Sequence, residues 1–204
     1  MMTKLEYHFD YGSPNCYLSH RVIPHIEKRT GVKFEYVPIL LGGVFKSTNN
    51  QSPMMAFKDV RNKLMYQQAE TRRFVARHGL AKFAMNSHFP VNTLQIMRGT
   101  CGLVGKPDFM KYVEVLSCAM WEDSKKMDDP EVITATLDAA GLDGKGFMAL
   151  TQDANAKALL LSNTEKSVAR GTFGAPTFFV DGEIYFGKDT LDEIERVIGA
   201  AKAA

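Results

Sequence analysis

The sequence lacks the features that indicate disulfide, metal or membrane proteins. Its 204 residues contain three cysteines, Cys16, Cys101 and Cys118, and no two are close enough to form a Cys-x-x-Cys or zinc-binding pair. We therefore expect three free thiols and no metal site. No apolar run is long enough to span a bilayer. Phosphate-binding Gly-rich loops and the HExxH and GxSxG motifs are also missing.

An excess of charge of either sign is missing too. The 25 basic and 23 acidic residues leave a net charge of +2, which is too balanced for a general nucleic-acid binder. Hydrophobic residues make up 45% of the chain, an ordinary share for a globular protein. The N-terminus leads directly into a strand-like pattern without a long apolar stretch. We therefore expect no signal peptide, no nucleic-acid or membrane partner, and a cytoplasmic location.

The two ends of the chain carry the strand signals. Leu5–Phe9 predicts a first strand, a helix follows to about Arg29, and Lys33–Leu41 predicts a second strand that runs into a loop. This β-α-β order predicts a parallel pair. Near the other end, Thr177–Phe186 contains two β-rich runs around Asp181-Gly182, a strong hairpin signal, and a helix follows.

The middle of the chain predicts helices only. Their approximate ranges are 54–78, 92–104, 107–121, 130–140 and 146–169. Neither end makes a complete sheet alone, so we predict an α/β fold in which both ends build one four-stranded mixed sheet. The predicted domains are residues 1–50 plus 171–204, and an inserted helical domain of residues 51–170.

The segment Ser13-Pro14-Asn15-Cys16 lies where the first strand meets the first helix. A helix N-terminus stabilises an anion, and in thiol–disulfide enzymes this place holds the reactive cysteine of Cys-x-x-Cys. A serine there cannot form a disulfide, but it can donate a hydrogen bond to the thiolate of another molecule. The alternative is that Ser13 only caps the helix. Cys16 is interpreted as a packing residue, with a remnant resolving thiol as the alternative.

With these segments in view, the sequence resembles a known family. FDYGSPNCYL near the N-terminus and FGAPTFFVDGEIYFGKDTLDEIE near the C-terminus are similar to 2-hydroxychromene-2-carboxylate isomerases, as is the segment His88–Arg98. That family is close to kappa-class glutathione transferases and more distantly related to bacterial disulfide-bond oxidoreductases. The resemblance covers about Leu5 to Gly199. It implies a thioredoxin-like fold with a large all-helical insertion, bound glutathione as cofactor, and a homodimer.

The resemblance also implies roles for individual residues. Ser13 matches the catalytic serine beside the glutathione sulfur. Pro176 matches a cis proline, and the backbone of the preceding Ala175 would pair with the cysteinyl part of glutathione. The remaining matches are the glutathione-binding residues Asn50, Gly187, Lys188 and Asp189, and the substrate-side residues Lys46 and Asn92. Ordinary structural roles remain open for three of these: a helix cap for Asp189 and Asn92, and a solvated surface charge for Lys46.

The sequence thus supports one main hypothesis and two alternatives. The main one is a glutathione-dependent cis-trans isomerase that acts on 2-hydroxychromene-2-carboxylate, or a related small aromatic carboxylate from aromatic breakdown, by reversible thiol addition. The first alternative is a kappa-type glutathione transferase or peroxidase. The second is a thioredoxin-like oxidoreductase that uses Cys16.

Overall fold

The structure is a computed structural model that describes residues 4–203, with side chains described for residues 4–200. The strands are β1 (Leu5–Phe9), β2 (Phe34–Pro38), β3 (Thr177–Val180) and β4 (Glu183–Phe186). The helices are α1 (Pro14–Thr30), α2 (Leu41–Thr48), α3 (Pro53–Ala56), α4 (Lys63–His78), α5 (Leu94–Cys101), α6 (Phe109–Trp121), α7 (Pro130–Ala139), α8 (Gly144–Leu150), α9 (Ala154–Ala169) and α10 (Leu191–Ala203). A short 3-10 turn, Lys188–Thr190, precedes α10.

Both ends of the chain build one sheet, as predicted. Its strand order is β2-β1-β3-β4, with β1 parallel to β2 and antiparallel to β3. The Asp181-Gly182 hairpin is confirmed, since β3 and β4 pair in the antiparallel sense on either side of it. Every residue of the central strand β1 is buried, so the sheet presents its middle to helices on both faces. The α/β class and the thioredoxin-like arrangement are therefore established.

Helices are the only regular elements in the described residues between β2 and β3, but three details of the prediction were wrong. The strand predicted at 33–41 is confirmed as β2, but the loop expected after it is replaced by α2, a helix whose Gly42-Gly43 pair is typical of a loop. The predicted helix over 54–78 is broken between α3 and α4, where Asn62 takes a left-handed conformation with φ 68°. The predicted helix over 146–169 is two helices, because Asp153 caps a new one at α9.

Strand β1 is fastened to α9 by a buried polar network. His8 Nδ1 lies 2.8 Å from Ser167 Oγ, and His8 Nε2 lies 3.0 Å from Glu6 Oε2. The Arg170 guanidinium donates to the same Glu6 oxygen at 2.5 Å and stacks 3.6 Å from the centre of the Phe179 ring. His8, Glu6 and Ser167 are buried, and these contacts satisfy their polar atoms, while Arg170 lies at the exposed end of the network. The network joins the last helix between β2 and β3 directly to the sheet.

Candidate active site

Ser13 stands where β1 turns into α1. It is the N-cap of α1, and its backbone is extended with φ −99° and ψ 118°. The Cys16 amide donates to its Oγ at 3.4 Å. The Ser13 hydroxyl itself donates to the carbonyl oxygen of Ala175 at 2.8 Å, across 162 residues of sequence. Ser13 therefore caps the helix and also contacts the loop before β3, so capping does not exclude a second role.

The loop that receives this hydrogen bond contains the predicted proline. The Ala175–Pro176 bond is cis, which confirms the prediction for Pro176. No residue that the structure describes accepts a hydrogen bond from the Ala175 amide. Gly174 precedes it, and a Cβ there would lie 2.9 Å from the Phe186 ring, so a larger residue would have to displace that ring. The loop thus brings an unpaired backbone donor next to Ser13.

A second loop packs against the first one. The Gly187 amide donates to the Pro176 carbonyl at 3.0 Å, and Gly187 has a φ of 90°, which favours glycine. The Lys188 side chain is buried, with Nζ 2.5 Å from Asp189 Oδ2 and 5.0 Å from the centre of the Phe74 ring. The Asp189 side chain is 64% exposed. Lys188 therefore forms an ion pair with Asp189, and the Asp189 carboxylate is the member of the pair that is exposed to solvent.

The three looser matches lie in different surroundings. Asn50 is exposed and donates from Nδ2 to the Phe173 carbonyl at 2.8 Å, so it contacts the same loop as Ser13. Lys46 is exposed on α2 and makes no ion pair with any residue in the described part of the chain. Asn92 is exposed and accepts from the Leu94 amide at 3.0 Å, but the N-cap of α5 is Thr93, so the cap expected at Asn92 lies one residue later. Contacts thus bring Asn50 together with the central residues, whereas Lys46 and Asn92 make no recorded contact with them.

Asp10 is a residue of this region that the sequence reasoning passed over as part of a turn. It is 1% exposed. Its carboxylate accepts from the Gly12 amide at 2.8 Å, the Leu41 amide at 2.7 Å and the Thr93 hydroxyl at 2.7 Å. Burial raises the pKa of this carboxyl group, and the three donors oppose that rise. Asp10 therefore joins the Ser13 turn to the first residue of α2 and the N-cap of α5.

Cys16 is poorly suited to redox chemistry. It is 2% exposed, and burial raises the pKa of its thiol to about 12. The reactive species in disulfide exchange is the thiolate, which such a pKa suppresses at neutral pH. Cys16, Cys101 and Cys118 are all free, as predicted. The packing interpretation of Cys16 fits this environment better than the resolving thiol does.

Comparison with known proteins decides the family. The family model of the DSBA-like thioredoxin domain matches residues 4–199, which is nearly the whole chain. This chain belongs to the DSBA-like thioredoxin family. Ser13 stands at the start of α1, where members that exchange disulfides carry a reactive cysteine. Membership therefore establishes the fold, and the chemistry must be argued from the residues at that position.

Curated relatives cover the chain from end to end. A 2-hydroxychromene-2-carboxylate isomerase from Sphingobium xenophagum is 25% identical over 198 residues, covering 95% of this chain and 97% of the relative. An isomerase of the same name from Pseudomonas putida is 23% identical over 197 residues, covering 96% and 94%. Glutathione S-transferase kappa 1 from Rattus norvegicus is 25% identical over 208 residues, covering 96% and 90%. The similarity thus points toward isomerase-like and glutathione-transferase-like enzymes.

Solved structures show the same fold. A 2-hydroxychromene-2-carboxylate isomerase superposes with a TM-score of 0.83 at 22% identity, covering 97% of this chain and 95% of that one. A probable DsbA oxidoreductase from Streptomyces coelicolor superposes with a TM-score of 0.77 at 16% identity, covering 98% and 90%. At these identities the likeness concerns the fold. Within residues 4–203, no helix combines the length and apolarity needed to cross a bilayer.

Proposed function

We propose that this protein is a glutathione-dependent cis-trans isomerase of 2-hydroxychromene-2-carboxylate or a related small aromatic carboxylate. The observation that carries the proposal is the contact between Ser13 and the Ala175 loop at the N-terminus of α1. A thioredoxin-like fold has here a hydroxyl in place of a reactive thiol, so the site suits a thiol brought by another molecule. The names of the relatives point to the same chemistry.

The residues around Ser13 fit a glutathione tripeptide. The unpaired Ala175 amide could donate to the cysteinyl backbone, as an added strand residue would. The exposed Asp189 carboxylate suits the γ-glutamyl ammonium group. Two hydrogen bonds fix the loops on which these groups lie: Asn50 donates to the Phe173 carbonyl, and the Gly187 amide donates to the Pro176 carbonyl. Lys188 supports Asp189 in this proposal, because its ammonium group already pairs with that carboxylate.

Ser13 would hold the bound thiolate, with help from α1. In the structure its hydroxyl donates to Ala175, so it must rotate away from that carbonyl to donate to sulfur. The first-turn amides of α1 and the helix dipole favour an anion at the same place. Bound glutathione would supply the thiol whose reversible addition to a conjugated carboxylate permits cis-trans rotation. Lys46 and Asn92 are proposed on the substrate side. A homodimer, a cytoplasmic location and the two-domain division stay predictions.

The proposal is tested by turnover of 2-hydroxychromene-2-carboxylate with and without glutathione. We expect turnover only with glutathione, and calorimetry should show that glutathione binds in the absence of substrate. S-methylglutathione is the matched control, because it fills the same site without a free thiol and should inhibit. Glutathione-independent turnover, or no binding of glutathione, would contradict the proposal.

A kappa-type transferase or peroxidase is the second candidate, favoured by the relative from Rattus norvegicus. It would use the same Ser13 site on a different electrophile. A panel of 1-chloro-2,4-dinitrobenzene, cumene hydroperoxide and the chromene carboxylate separates the two candidates. Consumption of glutathione with the first two compounds would favour the transferase, since an isomerase returns its thiol after each turnover.

A further inference from the structure

A cleft separate from the Ser13 site lies where α2, α5 and α9 meet. Helix α9 packs against both α5 and α2. The cleft is open to solvent on one side and has a volume of about 360 Å³, which is within the range of small-molecule sites. Its lining comes from all three helices and includes Leu40, Leu94, Arg98, Lys157, Leu160 and Leu161. None of these side chains is part of the Ser13 site described above, and the two regions are linked through the Leu94 amide, which donates to Asn92.

The inner part of the cleft is apolar. Leu160 is buried, and Leu40 and Leu94 are half-buried. The single hydroxyl in the lining, that of Thr164, is satisfied within the protein: it donates to the Leu160 carbonyl at 2.7 Å and accepts from the Leu40 amide at 2.9 Å. This hydroxyl therefore needs no hydrogen bond from a ligand. Gly43 lets α2 approach Thr164 closely, since a Cβ at this position would lie 3.2 Å from Thr164 Cγ2.

The cleft also carries two positive charges and no negative one. Arg98 is half-buried, and its guanidinium makes no ion pair or hydrogen bond with any residue among 4–200. Lys157 Nζ donates to the neutral amide oxygen of Gln152 at 3.0 Å. No carboxylate is present in the lining. Leu161, beside them, leaves 60% of its surface exposed. A half-buried arginine without a carboxylate next to an apolar wall is complementary to an acid with an apolar body.

We propose that this cleft binds a small amphipathic monocarboxylate, with its apolar body against the leucines and its carboxylate on Arg98. Aromatic acids and short fatty acids share this chemistry. The inference does not rest on the proposed isomerase activity, because its test measures binding to the chain without turnover.

The test is calorimetric titration of the full chain with 1-naphthoate and decanoate, each against its neutral alcohol. We expect at least one acid to bind with a Kd below about 1 mM, and its alcohol to bind at least about tenfold more weakly. The acid that binds more tightly shows whether the ligand is an aromatic acid or a fatty acid. Saturating glutathione should leave the affinity within about twofold. If neither acid binds, if the alcohol binds equally well, or if glutathione displaces the acid, the proposal is wrong.

Substitutions in the cleft test whether the acid binds there. Arg98→Gln should weaken binding of the acid by at least about tenfold, whereas Arg98→Lys should weaken it less, because lysine keeps the charge but loses the bidentate fork. Arg72→Gln, on the exposed face of α4, is the matched control and should bind as the unmodified chain does. Leu161→Asp alters an exposed position and should abolish binding without affecting folding. Unchanged affinity in Arg98→Gln or Leu161→Asp would overturn the proposal.

Discussion

Two buried carboxylates near β1 are stabilised in opposite ways. Glu6 is surrounded by two cations and a histidine: Arg170 lies 2.5 Å and His8 3.0 Å from its Oε2, and Lys4 lies 2.8 Å from its Oε1. Burial alone would raise the pKa of Glu6, but the hydrogen bonds from these three side chains lower it to about 2. Asp10, just beyond the other end of the strand, has no cationic partner among the described residues, and burial leaves its pKa raised.

The two pKa values differ because the two carboxylates have different hydrogen-bond partners. Glu6 joins the sheet to one helix through a cation, as an ordinary structural ion pair does. Asp10 binds two backbone amides and a hydroxyl, so it fixes three chain segments without bringing a positive side chain to the Ser13 turn. The charge of Asp10 also affects the Cys16 thiol in that turn. Burial is the main cause of the raised pKa of this thiol, and the negative charge of Asp10 raises it further. Under the proposed function, α1 and Ser13 must stabilise the thiolate despite this negative neighbour.

Removing Asp10 should have the largest effect on stability. Asp10→Ala leaves the Gly12 amide, the Leu41 amide and the Thr93 hydroxyl without their acceptor, so the free energy of unfolding should fall by about 3–5 kcal/mol. Urea unfolding measures the change. The exposed Asp59 provides the control, since Asp59→Ala should change stability by less than about 0.5 kcal/mol. Equal losses of stability in the two variants would contradict the claim that the hydrogen bonds of Asp10 stabilise the fold.

Removing the charge of Glu6 should have a smaller effect that depends on pH. Its folded pKa lies below the ordinary value of 4.5, so the ionised form stabilises the fold above pH 4.5, and this contribution is lost as the pH falls toward 2. The contribution amounts to about 3 kcal/mol. Glu6→Gln should therefore unfold more easily at neutral pH and show a flatter stability profile between pH 4.5 and 2. A profile as steep as that of the unmodified chain would contradict this assignment.

The smallest of these effects should come from Thr93→Val, which removes one of the three donors to Asp10 and keeps the side-chain shape. The free energy of unfolding should fall by about 1 kcal/mol. The pKa of Asp10, followed by NMR, should rise further, because one hydrogen bond that favours its ionised form is gone. A pKa that stays the same or falls would show that the hydroxyl does not stabilise the carboxylate.

The sequence predicted the sheet because its signals are local. The Asp181-Gly182 turn is a signal of adjacent residues and the β-α-β order one of consecutive elements, and the structure confirms both. Helix α2 was missed because Gly42 and Gly43 disfavour a helix in isolation, while packing against α9 supports one in the folded chain. Neighbouring residues alone could not reveal that stabilisation.

The candidate site was predicted in part for the same reason. Ser13 and Pro176 stand in recognisable motifs, and their loops do meet. The role of Asp10 was invisible, because its partners Leu41 and Thr93 are 31 and 83 residues away and become neighbours only in the fold. The burial of Lys188 was also unforeseen: a lysine beside an aspartate in a loop gives no sign that Phe74 will cover it.

The central claim is that Ser13 stabilises the thiolate of bound glutathione, and the pKa of that thiol tests it most directly. Ultraviolet absorbance of the bound thiolate against pH gives the value in the unmodified chain and in Ser13→Ala. A charge-assisted hydrogen bond is worth about 1.5–3 kcal/mol, so the substitution should raise the thiol pKa by roughly one to two units. Glutathione affinity should change less, because Ala175 and Asp189 remain. An unchanged thiol pKa in Ser13→Ala would leave Ser13 as a helix cap and contradict the account.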